Sequence, residues 1–82
     1  MIDTQALIDI LAHETSLDPA TLSSETVIRE LNVDSLGMMN VMFGIEDATG
    51  VELTVEEMSD VVTVGDLVRL IEAKSKRQGA SL

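Results

Sequence analysis

The stretch from Asp34 to Gly50 limits the possible folds of this chain more than any other part of it. Read as a helix at about 100° per residue, it places Met38, Val41, Met42, Ile45 and Thr49 on one face and Leu36, Met39 and Phe43 on the face beside it. Apolar residues therefore wrap most of the cylinder, although a stripe of little more than about 100° suffices to face a core. The excess implies either a helix enclosed on nearly all sides or an exposed apolar patch. A chain of 82 residues is poorly placed to enclose one of its own helices completely, so Leu36, Met39 and Phe43 are expected at the surface. Asp34 is of the type that caps a helix N-terminus and Gly50 suits a left-handed stop, which bounds the helix at Ser35 and about Thr49.

The same signals give the other elements. Ile2, Ala6, Leu7, Ile10 and Leu11 recur at helical spacing behind Asp3 and Thr4, which predicts a first helix over about 3–14. From Thr15 to Asn32 turn formers alternate with isolated apolar residues, Leu17, Leu22, Val27, Ile28 and Leu31, that can pin a long loop to the core; Asp18-Pro19 can open a single helical turn. After an extended Val51-Glu52-Leu53, Thr54 caps a short helix from Val55 to Ser59 or Asp60, with Glu56 and Glu57 at its positive end. Thr63 caps the last helix, from Val64 to about Lys74, whose Val64, Leu67, Val68 and Ile71 make a narrow stripe. The expected fold is all-α: a small bundle of three main helices and a short third, with a long first loop. The chain reads as one domain, 1–82, ordered over about 2–76 with a tail at 77–82.

Chemistry is restricted from the outset. There is no cysteine, and the single histidine, His13, sits at the end of the first helix, where a surface position beside the negative helix terminus is expected. No metal set and no catalytic group are assigned. The formal net charge is −10, and most of the few cations, Arg69, Lys74, Lys76 and Arg77, come late. Nucleic acid and anionic membranes are thus poor partners and basic proteins good ones. No apolar run approaches the ~20 residues of a membrane span, and no signal-like segment is present, which points to a cytoplasmic protein. The chain is rich in Val, Ile, Leu and Met, with Phe43 its one aromatic, so its core packs through aliphatic and thioether side chains, and methionine adapts to irregular gaps.

The segment LNVDSLGMMNVMFGIED, Leu31 to Asp47, resembles the modification site and second helix of acyl carrier proteins, and Thr63-Val64-Gly65-Asp66-Leu67 is similar to the start of their last helix. The resemblance implies a bundle of the acyl-carrier type, a phosphopantetheine arm joined to Ser35 through a phosphodiester, and a carrier that is not itself an enzyme. Asp34 and Leu36 flank the attachment, with Asp34 presenting Ser35 to the modifying transferase. Leu36, Met39, Asn40, Phe43, Glu46 and Asp47 fall where the family meets its partners, and Met42, Ile45, Leu53, Met58 and Val61 where it shelters the acyl chain. The implied partners are a phosphopantetheinyl transferase, an acyl-loading enzyme and downstream synthases or acyltransferases of fatty-acid, polyketide or other lipid biosynthesis. A monomer is expected, with neither nucleic acid nor membrane insertion.

The chain departs from the family in places. Positions that usually hold acids after the Ser-Leu pair are Gly37 and Asn40, the glycine two residues before Asp34 is Asn32, and a core aromatic is replaced by Thr49. A specialised carrier that docks more through apolar contact than through charge follows, on a second helix weakened by Gly37 and Gly44. Two alternatives stay open: a peptidyl or aminoacyl carrier, and an acidic adaptor that grips a target helix with Met38, Met39, Met42 and Phe43 and bears no prosthetic group.

Overall fold

Asp3, Asp34 and Thr54 each start a helix for the same reason: a short side-chain oxygen accepts a backbone N–H that the first turn leaves without a partner. Asp3 takes the N–H of Ala6 at 2.7 Å, Asp34 that of Gly37 at 2.7 Å and Thr54 that of Glu57 at 3.1 Å. The helices they open are α1 (Thr4–Thr15), α2 (Ser35–Thr49) and α3 (Val55–Ser59), and α4 (Val64–Ala80) completes the set. The computed structural model describes residues 3–31 and 33–80, with side chains described through Ser75. Ile2, Asn32 and the last two residues of the expected tail lie outside the described residues.

The helices assemble by burying their apolar stripes against one another. Leu7, Ile8, Leu11 and Ala12 of α1 meet Val41 and Ile45 of α2 and the whole expected stripe of α4, Val64, Leu67, Val68 and Ile71. Val51 and Leu53 from the extended link, with Leu22 and Ile28 from the long loop, close the core. No buried residue among those described is polar or charged. Ala6, counted in the first helical stripe, is exposed, and its place is taken by Ile8 and Ala12. Gly50 ends α2 in the left-handed region at φ 74° and donates its N–H to Glu46 O.

Two features differ from the sequence-based expectation. The long loop is stitched to the start of α4: Val27 and Thr63 form an isolated antiparallel bridge, with Ile28 N–H donating to Val62 O at 2.9 Å and Val64 N–H to Thr26 O at 3.0 Å. Beyond the expected single turn at Pro19–Thr21, the loop adds a second at Ile28–Leu31, which brings Arg29 and Val33 beside the start of α2. The last helix also does not stop near Lys74 but runs to Ala80. Ala73, Lys74, Lys76, Arg77 and Gln78 are residue types that lose little freedom in a helix, and nothing before Gly79 interrupts them.

Thr63 and Asp66 cap α4 reciprocally, each accepting the other's backbone N–H at 3.1 Å. Thr54 and Glu57 do the same for α3, and Lys74 reaches across from α4 to Glu57 at 2.6 Å and to the carbonyl of Glu52. The Lys74 hydrogen bond, then that from the Thr54 N–H, hold the Glu57 carboxyl below its ordinary 4.5. The Thr63 N–H, then the Arg69 guanidinium, hold Asp66 below 3.8. Between the folded and ordinary values the unfolded chain binds more protons. These contributions are therefore fully present above the ordinary values and are lost as pH falls through the lowered ones. Acid also relieves the self-repulsion of a −10 chain, so the test is differential. The Tm gap between wild type and Glu57→Gln is expected to be largest near neutrality and to shrink below about pH 4; a gap independent of pH would remove Glu57 as the responsible group.

Candidate functional site

Ser35 is the first residue of α2, and its side chain is exposed. Because Asp34 supplies the cap through its side chain to Gly37 N–H and its carbonyl to Met38 N–H at 2.9 Å, the Ser35 hydroxyl is not needed to start the helix. It opens onto a cleft of about 460 Å³ between α2 and α3. Met38, Met39 and Met42 form the α2 wall, Val55 and Met58 the α3 wall, and Arg29 and Val33 close the loop side. An adjoining cleft of about 350 Å³ shares Met38, Val55 and Met58 with the first and reaches Val61 and Ile28. The walls are mostly thioether and aliphatic, and the polar lining residues are Arg29, Asp34 and Ser35.

The five residues expected along an acyl chain divide into two sets. Met42 and Met58 line the first cleft and Val61 the second, all partly buried. Ile45 and Leu53 line neither, for they are 0% and 6% exposed in the core behind it. Of the expected partner residues, Leu36, Met39 and Phe43 are 68%, 47% and 60% exposed, and Asn40, Glu46 and Asp47 are also at the surface. This side of α2 is an apolar strip with acids at its far end. Across the cleft Val55, 74% exposed, widens the apolar area. Sequence reasoning missed Val55 and Arg29. Val55 and Met58, spaced i and i+3 on α3, were the signal for the first; no sequence signal places the second.

Gly37 and Gly44 are explained by neighbours rather than by a need for a loose helix. A Cβ on Gly37 would lie 2.7 Å from Val33 Cγ1, and one on Gly44 3.0 Å from Ile10 Cγ2 on α1. Any side chain at position 37 would crowd Val33 and the Asp34 carboxylate, so the glycine there is tied to local packing. His13 is exposed on the last turn of α1, 3.5 Å from Glu14, and no group of His, Cys, Asp and Glu among the described residues could hold a metal ion. No described helix is long and apolar enough to cross a membrane.

Residues 5–71 match the family model described as the phosphopantetheine attachment site. The chain is 34% identical to an acyl carrier protein of Streptococcus pneumoniae serotype 4 and 37% identical to one of Streptococcus pyogenes serotype M1, each over 83% of this chain and 89% of the relative. It is 35% identical to part of the non-reducing polyketide synthase rdc1 of Metacordyceps chlamydosporia, over 87% of this chain. The chain spans only 4% of that synthase. With an all-helical fold and matches of this extent, the chain belongs to the phosphopantetheine-binding acyl carrier family. Membership makes it a carrier of acyl intermediates on a covalently attached phosphopantetheine, not an enzyme, and sets aside the adaptor without a prosthetic group.

Proposed function

We propose that Ser35 bears the phosphopantetheine arm and that the chain is a specialised carrier serving polyketide or fatty-acid assembly. The observation that carries this reading is the exposed Ser35 hydroxyl at the mouth of a methionine-walled cleft, on a helix capped independently by Asp34. The residues present fit the group. An exposed hydroxyl can take a phosphodiester without loss of a structural hydrogen bond, and the first-turn N–H groups of a helix favour an anion nearby. The arm supplies a thiol that takes acyl groups as thioesters. The chain's own residues anchor it, keep the serine exposed and offer Met38, Met42, Met58 and Val61 as a deformable apolar wall.

Leu36, Met39 and Phe43 are the docking strip for the transferase, for an acyl-loading enzyme and for downstream synthases or acyltransferases, with Asn40, Glu46 and Asp47 at its edge. Asp34 and Leu36 flank the modified serine, and Ile45 and Leu53 support the acyl wall from behind. The carrier acts as a single-domain monomer in the cytoplasm. With Gly37 and Asn40 in place of acids, docking weakens with salt less than in carriers that keep those charges. Similarity to acyl carrier proteins and to a polyketide synthase supports acyl over aminoacyl cargo.

Incubation of the purified chain with a broad-specificity transferase and coenzyme A tests the reading. Intact mass is expected to rise by one phosphopantetheine, and fragmentation to place the addition on the peptide containing Ser35. Addition at another residue, or none with an active transferase, overturns it.

A further inference from the structure

Arg29 is the only cation ahead of Arg69 in a chain of net charge −10. The second turn of the long loop brings it into the wall of the cleft that also contains Ser35 and Asp34, and into the wall of the adjoining one. The other basic side chains of the described set are engaged, Arg69 with Asp66 and Lys74 with Glu57. No described carboxylate lies within ion-pair distance of Arg29, and its side chain is exposed to solvent at the cleft. A cation without an ion-pair partner among the described residues therefore lines the same cleft as the serine whose modification would add an anion.

We infer that Arg29 is a positioning residue that holds the phosphodiester of the arm, so that the pantetheine lies along the cleft instead of sweeping freely through solvent. The inference rests on attachment at Ser35. A phosphodiester there brings a further negative charge next to Asp34, and the guanidinium of Arg29 is the local group that offsets it. Its planar fork matches two phosphate oxygens, which a lysine ammonium does not. A carboxylate on the cargo is the less suitable ligand, because cargo sits at the far end of the arm, whereas the phosphate is fixed to a residue of the same cleft wall. The contact is partly solvated, so it orients the arm and responds to salt.

The test compares unmodified and modified forms of wild type, Arg29→Gln and Arg29→Lys by intact mass, by the ³¹P resonance of the phosphodiester and by the Arg29 Nε–Hε correlation. Modification is expected to move the wild-type Nε–Hε signal, and the ³¹P signal to differ between wild type and Arg29→Gln, with Arg29→Lys between them. Both differences should collapse between about 0.1 M and about 1 M salt, as the Debye length falls from ~10 Å to ~3 Å. A mass increment on wild type with no movement of its Nε–Hε signal overturns the role of Arg29 and leaves the Ser35 reading standing. No increment in any of the three overturns the Ser35 reading itself.

Discussion

Replacement of Ser35 by alanine is expected to abolish modification completely while leaving stability within about 0.5 kcal/mol of the wild type. The first half is chemical: a methyl group has no oxygen to form the phosphodiester, so the loss is total and not graded. The second half follows from the division of labour at the start of α2. Ser35 is exposed, and the helix is capped by Asp34, whose carboxylate accepts from Gly37 N–H at 2.7 Å. Alanine is also the best helix former. Asp34→Ala should give the converse result. It removes the cap, for a cost of about 1 kcal/mol and a Tm lower by roughly 4–8 °C in a domain of this size, but retains the hydroxyl. Slow but complete modification of Asp34→Ala would make Asp34 a cap that also aids the transferase; unaltered rates would leave it a cap alone. An undiminished increment on Ser35→Ala would contradict the assignment of the site.

What could be read in the sequence is what is local. Asp3, Asp34, Thr54 and Gly50 act within three or four residues of themselves, and the helices they bound begin and end within a residue of expectation. The two faces of α2 were legible because helical geometry fixes which side chains share a side. Leu36, Met39 and Phe43 are indeed exposed, while Val41 and Ile45 are fully buried. What escaped is non-local. Periodicity cannot pair Val27 with Thr63, since that bridge exists only once the loop has folded back onto α4. Nor can it send Lys74 across to Glu57 and Glu52. Arg29 is the instructive case, an arginine in a polar loop whose meaning depends on the turn that carries it into the cleft that Ser35 also lines. The end of α4 was misjudged for a different reason: a narrow apolar stripe ends at Ile71, but a helix can continue on propensity after its buried face runs out.

The same two faces lead to the second large effect. Ile45→Ala is expected to destabilise the domain by about 2–5 kcal/mol, whereas Phe43→Ala, two residues earlier on the same helix, should change stability by no more than about 0.5 kcal/mol. Ile45 is 0% exposed and belongs to the cluster that joins α1, α2 and α4, so truncation removes buried surface and leaves a void that a small bundle cannot easily refill. A domain of 82 residues has about 4–12 kcal/mol to lose, which makes this one substitution about a sixth of the whole at the least. Phe43 is 60% exposed and contributes little to the fold; its loss should appear instead as weaker docking to a synthase or transferase. Urea denaturation of the two unmodified variants, with partner binding measured in parallel, separates the effects. A stable Ile45→Ala would mean that Ile45 fronts a cavity already open to cargo and is not a core residue. A strongly destabilised Phe43→Ala would mean that the apolar strip of α2 is covered in the folded chain and is not offered to partners.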